Sequence, residues 1–156
     1  MINPNRYVVG DILSAPEGVS QPVIICHQVN CFGRMGAGLA KQIRNKFPEV
    51  FSAYETMTNN ESDRMSLLGN AQVINVGDNL YVANIFGQYG FGRSGRYTDY
   101  IAVMRAFRVI ANSYPDAILR IPYKIGCGLG GGDWDRVKSI IETELADVQY
   151  EIWRLP

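Results

Sequence analysis

Short runs of β-branched and aliphatic residues alternate along this chain with segments in which apolar residues recur every three or four positions. The first pattern predicts strands over Arg6–Gly10 and Pro22–Val29, and the second run is almost continuously apolar, as expected of a strand with both faces buried. The second pattern predicts an amphipathic helix over Gly36–Phe47. Proline suits the first position of a helix, so another helix is predicted from Pro48 to about Thr58.

The second half of the chain continues this alternation. Its predicted elements, in chain order, are strands Ala71–Val76 and Leu80–Phe86, helix Thr98–Asn112, strand Ala117–Pro122, helix Asp133–Ala146 and strand Val148–Leu155. Turn residues make the first two strands a hairpin, and Thr98 and Asp133 carry the side-chain oxygens expected of helix N-caps. The resulting order, β-β-α-α-β-β-α-β-α-β, predicts an α/β fold in which helices flank a mixed sheet.

The length of 156 residues and the apolar fraction of 47% predict one domain, residues 1–156, whose core needs neither disulfides nor a structural metal. Lys and Arg together number 15, as do Asp and Glu, so the formal net charge is zero. Proteins that neutralise many phosphates carry a basic excess, so bulk nucleic-acid binding is disfavoured. A small phosphorylated ligand needs no such excess, because backbone N–H groups can hold one or two phosphates.

The expected location is the cytoplasm. The N-terminal residues lack the charged start and apolar centre of a signal peptide, and the longest mainly apolar stretch, Pro22–Cys26, is far shorter than the ~20 residues that span a bilayer. The odd number of cysteines favours a reducing compartment. We predict no metal site, because Cys26, His27, Cys31 and Cys127 include no paired C-x-x-C. The shortness of the apolar stretches also predicts no membrane partner.

Two of the predicted strands run into glycine-rich loops that lead to the start of a helix. The first loop follows Val29 and contains Gly33, Gly36 and Gly38, and the second has five glycines within the seven residues 126–132. Glycines let successive N–H groups approach an anion, and the dipole of the following helix adds to the attraction. Neither loop has the Gly-Lys-Ser/Thr of a P-loop. The loops indicate a diphosphate-type ligand, with plain tight turns as the alternative.

Three groups of residues together resemble the macro domain, a module that binds ADP-ribose. They are Gly10-Asp11-Ile12-Leu13, Asn30-Cys31 followed by Gly33–Ala40, and Ile125–Leu129 followed by Asp133-Trp134. Within that family the chain is most similar to the branch that contains ADP-ribose 1″-phosphate phosphatases and terminal ADP-ribose protein glycohydrolases. The resemblance implies a three-layer α/β/α fold with a mixed, mostly parallel sheet, and it implies no cofactor.

The resemblance also implies a set of ligand contacts. Asp11, between Gly10 and Ile12, would accept a hydrogen bond from the adenine amino group, and Trp153 and Leu155 would lie beside the adenine ring. Trp153 could equally be a core residue. The diphosphate and the distal ribose would contact Asn30, Met35, Gly36, Ala37, Gly38, Ile125, Gly126, Cys127, Gly128, Leu129 and Gly130.

The candidate catalytic residues are His27 and Asp133. His27, the only histidine, matches a position implicated in activity in the phosphatase branch, and a pKa near neutrality would suit proton transfer. The alternative interpretation is that His27 is a structural residue of its strand. Asp133 could polarise water or only cap the last helix. The glycohydrolase branch uses a lysine in the segment that matches Asn84–Gln88, and this chain has none there.

These residues lead to a main hypothesis and two alternatives. The main hypothesis is a protein that binds ADP-ribose and hydrolyses ADP-ribose 1″-phosphate or a related ADP-ribosyl linkage, including one on an ADP-ribosylated macromolecule. The alternatives are a non-catalytic ADP-ribose reader with the same pocket and an unrelated nucleotide-binding module. The segment Tyr89–Tyr97 is aromatic and glycine-rich, and it would be a lid over the distal ribose or a plain connection.

Overall fold

The predicted strands assemble into one mixed sheet. The computed structural model describes residues 6–156, so the start of the predicted domain lies outside the described residues. The strands are β1 Tyr7–Val9, β2 Val23–Val29, β3 Ala71–Gly77, β4 Leu80–Phe86, β5 Ile118–Pro122 and β6 Gln149–Arg154. Their order across the sheet is β1-β6-β5-β2-β4-β3, and every neighbouring pair is parallel except the β3–β4 hairpin. The mixed, mostly parallel sheet is confirmed.

Helices cover both faces of this sheet. They are α1 Gly38–Lys46, α2 Pro48–Asn60, α3 Tyr100–Ser113 and α4 Trp134–Glu144, and a short 3-10 helix, Arg64–Leu67, was not predicted. Alternate residues of β2 point to opposite layers: Ile25 packs with α1 and α2, whereas Ile24 packs with α3 and α4. The three-layer α/β/α architecture is therefore confirmed. No helix among residues 6–156 is both long and apolar enough to cross a membrane.

The predicted cap of α3 is wrong by one residue. Asp99, not Thr98, is the N-cap, since its carboxylate accepts the Ala102 N–H at 3.1 Å. Both residues have an oxygen that can cap, and Thr98 is committed elsewhere, because its hydroxyl donates to the Gly126 carbonyl at 2.6 Å. The cap predicted for α4 is confirmed, with the Asp133 carboxylate accepting the Asp135 N–H at 3.0 Å.

The strand connections create a crevice at one edge of the sheet. Strands β2 and β5 are parallel neighbours, so their carboxyl ends lie side by side. The chain leaves β2 toward α1 on one face of the sheet and leaves β5 toward α4 on the other face. Because the two loops diverge, a gap opens between them, and α/β proteins commonly bind ligands at such a point.

Candidate ligand-binding cleft

A cleft of about 1100 Å³ occupies this gap between the ends of β2 and β5. The first glycine loop lines one wall with Gly36, Ala37 and Gly38, and the second lines the other with Gly126 and Gly128–Gly130. Two loops that are about ninety residues apart in the sequence thus face one space, as the sequence predicted.

The side chain of Asn30 organises the first loop. Its Oδ1 accepts the Phe32 N–H at 2.9 Å, and its Nδ2 donates to the Arg34 carbonyl at 2.9 Å. The buried Tyr54 hydroxyl lies 2.6 Å from the Asn30 carbonyl oxygen and accepts the Gly33 N–H at 3.2 Å. Asn30 lines the cleft, but its amide is used by its own loop. Its side chain therefore shapes the site rather than reaching for a ligand.

A polar network on the opposite face of the sheet holds the second loop. Gln28 Nε2 donates to the Thr98 hydroxyl at 2.8 Å, and that hydroxyl donates to the Gly126 carbonyl. Gly126 has φ +74°, and a Cβ there would lie 2.8 Å from Gln28 Oε1. The Gly130 carbonyl accepts the N–H groups of Tyr97 and Thr98 at 2.7 and 3.0 Å. The loop is therefore fixed without using the N–H groups that line the cleft.

Free main-chain donors face the cleft from both walls. Helix α1 has no side-chain cap at Ala37 and no acidic residue in its first turn, so its first N–H groups, which have no partner within a helix, remain available. Within residues 6–156, the N–H groups of Gly128, Leu129 and Gly130 donate to no protein acceptor. Donors of this kind, together with the positive end of a helix dipole, bind anions.

Charged side chains add a local positive field that the neutral composition does not reveal. Glu55 is the acidic residue among the described residues lining the cleft. The basic residues that line it are Arg34, Arg44, Arg64, Arg93 and Lys124. Such an excess of one sign around a concave surface attracts the opposite charge.

His27 lies at the floor of this cleft. The residue is 2% exposed, and its Nε2 is 2.5 Å from Asn84 Oδ1. Burial disfavours the charged imidazolium and lowers the pKa of His27 to about 4, against the smaller raising effect of the hydrogen bond to Asn84. The expectation of a pKa near neutrality is therefore wrong, and His27 is neutral at pH 7.

Seven curated proteins match the chain by sequence, and two of them show the extent of the similarity. An uncharacterised 17.5 kDa protein of Enterobacteria phage T4 is 30% identical over 143 residues, which are 88% of this chain and 88% of the phage protein. The ADP-ribose 1″-phosphate phosphatase of Meyerozyma guilliermondii is 33% identical over 105 residues, which are 60% of this chain and 59% of the enzyme. The aligned part is therefore less than two thirds of that phosphatase. No family model matches the chain.

Solved structures share the whole fold. A protein of unknown function from Bacteroides thetaiotaomicron has a TM-score of 0.81 at 29% identity, covering 94% of this chain and 95% of that one. A macrodomain protein from Streptomyces coelicolor has a TM-score of 0.75 at 25% identity, covering 95% of this chain and 97% of that one. The chain belongs to the macro domain family. Thermosipho africanus DarTG, solved in complex with ADP-ribose, has the same fold, with a TM-score of 0.67 at 18% identity over 85% of this chain and 38% of that one.

The two catalytic candidates of this macro domain lie apart. His27 lines the cleft, whereas Asp133 is exposed, caps α4 and does not line the cleft. The Asp133 N–H donates to the Tyr100 hydroxyl at 2.9 Å, which holds the residue at the start of the helix. The position of Asp133 therefore supports the capping interpretation and not a role in water activation.

The residues predicted to hold adenine surround the adjacent ends of β1 and β6. Asp11 is exposed, and its Oδ1 accepts the Leu13 N–H at 2.9 Å. Arg120 donates to the carbonyls of Ile12 and Ser14 at 3.0 and 2.6 Å and stacks on Trp153, with its guanidinium 4.5 Å from the ring centroid. This arrangement fixes the turn that presents Asp11.

Some of the predicted contact residues are buried or lie outside the cleft. Met35 lines the cleft but is 1% exposed and packs in the core on the α1 and α2 side, and the Cys127 thiol donates to the Ile125 carbonyl at 3.3 Å. Gly10 packs against Trp153, since a Cβ there would lie 3.3 Å from the indole ring. Residues 10–12, Cys127 and the C-terminal Trp153 and Leu155 do not line the cleft.

The aromatic segment Tyr89–Tyr97 contributes residues to the lining of the cleft. Phe91, Gly92 and Arg93 line it, and the Phe32 ring packs edge-on against Tyr89 with centroids 4.9 Å apart. Phe91 is 53% exposed. The segment therefore contributes to the lining of the cleft, and a role as a lid stays a prediction.

Sequence reasoning missed the polar residues that support the site. They are Gln28, Gln72, Asn84, Thr98 and Arg120. Four of the five stand in predicted strands, and Asn84 and Arg120 are buried within otherwise apolar ones. A buried polar group needs a partner, so an isolated polar residue in such a run is the signal that could have found them.

Proposed function

We propose that the cleft binds ADP-ribose or an ADP-ribose derivative. The observation that carries this proposal is the convergence of two glycine loops, with unpartnered N–H groups and the uncapped start of α1, on one basic cleft. A diphosphate fits this arrangement because its oxygens accept from several N–H groups at once. The name of the Meyerozyma guilliermondii relative, ADP-ribose 1″-phosphate phosphatase, supports the same ligand class.

Two glycines support a ligand that approaches the main chain closely. Gly36 and Gly128 lie on opposite walls, neither has a positive φ, and a Cβ at either would meet no protein atom within 4 Å. The packing of the protein therefore does not require glycine at these positions. A diphosphate held against the backbone does require it, because a side chain would occupy its place.

The adenine would lie at the β1 and β6 end of the site. Asp11 uses one carboxylate oxygen in its own turn, and within residues 6–156 its second oxygen makes no hydrogen bond. That oxygen is free to accept from the adenine amino group. The ligand would then run from the Asp11 turn, across the loops after β5 and β2, toward β4, in the order of the strands in the sheet.

Hydrolysis of ADP-ribose 1″-phosphate to ADP-ribose and inorganic phosphate is the second proposal. It is supported by the similarity to the Meyerozyma guilliermondii phosphatase and by the presence of His27 at the floor of the cleft. At pH 7 a His27 with a pKa of about 4 is a neutral imidazole, which is too weak an acid to protonate a leaving group. Asp133 is committed to its helix. The described side chains therefore favour binding over turnover.

Calorimetry with ADP-ribose and ADP tests the binding proposal. We expect ADP-ribose to bind more tightly than ADP, because only ADP-ribose fills the cleft beyond the glycine loops. Equal affinities would indicate a general nucleotide module and contradict the proposal.

Phosphate release from ADP-ribose 1″-phosphate tests the second proposal. Wild type is compared with His27→Ala and Asp133→Ala. Release that depends on His27 would support hydrolysis at this site. Binding without release would leave a reader and would overturn the phosphatase proposal.

A further inference from the structure

Three polar side chains form a row across the sheet beneath the cleft. His27 of β2 is the register partner of Asn84 in β4, and Asn84 is the register partner of Gln72 in β3. Asn84 is 0% exposed and His27 is 2% exposed. Polar groups in such a position cost stability unless each is hydrogen-bonded, so a row of three requires an explanation.

The row is anchored by a backbone carbonyl, and this anchor fixes the orientation of each amide. Gln72 Nε2 donates to the Ala53 carbonyl of α2 at 3.1 Å. Because a carbonyl oxygen can only accept, the Gln72 amide has one orientation, and its Oε1 accepts from Asn84 Nδ2 at 3.1 Å. Asn84 Oδ1 then faces His27 Nε2.

The anchor therefore decides which nitrogen of His27 carries the hydrogen. An amide oxygen accepts only, so Nε2 must be the donor, and in a neutral ring Nδ1 is then a bare acceptor. Nδ1 is buried and has no hydrogen-bond partner among the described residues. Since Asn84 occupies Nε2, a ligand in the cleft that hydrogen-bonds to this ring does so at Nδ1.

We propose that Gln72 and Asn84 hold His27 as a hydrogen-bond acceptor, whose Nδ1 receives a hydroxyl of the distal ribose of the ligand. This inference rests on the proposed function. An unprotonated phosphate oxygen has no hydrogen to offer and is repelled by a bare nitrogen, whereas a sugar hydroxyl donates readily. The distal ribose is the relevant sugar because His27 stands in β2, which β6 and β5 separate from β1 and the Asp11 turn.

The first experiment is ¹⁵N NMR on the full chain labelled at histidine. Because His27 is the only histidine, its two ring nitrogens give the whole ring spectrum. At pH 7 we expect a protonated Nε2 and an unprotonated Nδ1, and we expect the Nδ1 signal to move on saturation with ADP-ribose but not with ADP. A protonated Nδ1 in the free protein, or an Nδ1 signal unmoved by bound ADP-ribose, would overturn the inference.

The second experiment releases the row from its anchor. Gln72→Met removes the amide of the half-buried residue of the row. Gln149→Met is the matched control, because it makes the same substitution at an exposed strand position away from the cleft. In Gln72→Met the Asn84 amide can turn over, so both ring tautomers should appear, and ADP-ribose affinity should fall about threefold to tenfold while ADP affinity stays constant. Gln149→Met should change neither.

The outcomes separate this inference from the proposed function. If calorimetry detects no ADP-ribose binding to wild type, the proposed function fails and the ribose contact fails with it. If ADP-ribose binds and Gln72→Met shifts the tautomers without weakening binding, the proposed function stands and the acceptor role of His27 is wrong. Loss of ADP-ribose affinity with a shifted tautomer supports both.

Discussion

Acid should destabilise this macro domain through its single histidine. His27 is buried and neutral at pH 7, because burial disfavours the protonated ring in the native protein and lowers its pKa. The perturbation is a change from pH 7 to pH 5, applied to wild type and to His27→Gln. The variant lacks the imidazole and keeps every other titrating group, so the difference between the two proteins isolates the contribution of His27.

The magnitude follows from two pKa values. In the unfolded chain His27 titrates near its ordinary value of 6.5, and in the native protein near 4. As the pH falls from 6.5 to 4, the unfolded state therefore binds the proton and the native state does not, so native stability decreases with falling pH. The loss is about 2 kcal/mol at pH 5 and levels off near about 3 kcal/mol below pH 4.

Urea denaturation at several pH values between 7 and 5 measures this effect. The free energy of unfolding of wild type should decrease by about 2 kcal/mol more than that of His27→Gln over this interval. Carboxylates contribute equally to both proteins and cancel in the difference. A difference that stays constant from pH 7 to pH 5 would refute a buried neutral His27, and one that grows in favour of wild type would indicate a charged, paired ring.

Four further predictions concern the second glycine loop, the cap of α4 and the Asp11 turn. Gly126→Ala should lower the free energy of unfolding by about 2 kcal/mol, because its φ of +74° disfavours a side chain and Gln28 occupies the space, and urea unfolding checks this. Gly128→Ala should leave stability unchanged but weaken ADP-ribose about tenfold by calorimetry, whereas Gly77→Ala, equally open but outside the cleft, should leave affinity unchanged; equal effects would contradict the proposed site. Asp133→Ala should cost about 1 kcal/mol of stability and Asp133→Ser little, with neither changing phosphate release if wild type has that activity. Arg120→Met should cost about 2 kcal/mol in thermal or urea unfolding, because the carbonyls of the Asp11 turn lose a buried charged donor, and an unchanged stability would contradict that role.

The element order follows from the sequence because it depends on local periodicity, whereas the three-layer arrangement was implied by the resemblance to macro domains. The near-continuous apolar run over β2 predicted a central strand, and the period-four pattern before Phe47 predicted the amphipathic helix α1. The exact cap of α3 did not follow, since Thr98 and Asp99 are adjacent and both carry a suitable oxygen. Only the tertiary contact of Thr98 with Gly126 decides between them.

The candidate site was predictable where it is made of main chain and not where it is made of side-chain networks. Glycine spacing located both walls of the cleft, because glycine is the residue that lets the main chain approach a ligand closely. Gln72 and Asn84 stand in one hairpin, but the row also depends on the register of β4 against β2, whose residues His27 and Asn84 are 57 positions apart in the sequence. Register between such strands is set by the packed sheet, so no local pattern could have joined His27 to the other two residues.

The zero net charge of the chain conceals an uneven distribution of charged residues. Five of the 15 basic residues line the cleft, against one of the 15 acidic residues, so a neutral protein presents a positive cavity. The basic side chains would attract an anion through a field that solvent and salt screen. The N–H groups on the walls would position the anion through directional hydrogen bonds. The bare Nδ1 that we infer for His27 would repel a phosphate at the floor. The proposed ligand, ADP-ribose, carries phosphates at its centre and hydroxyls at its end, so it would satisfy all three surfaces.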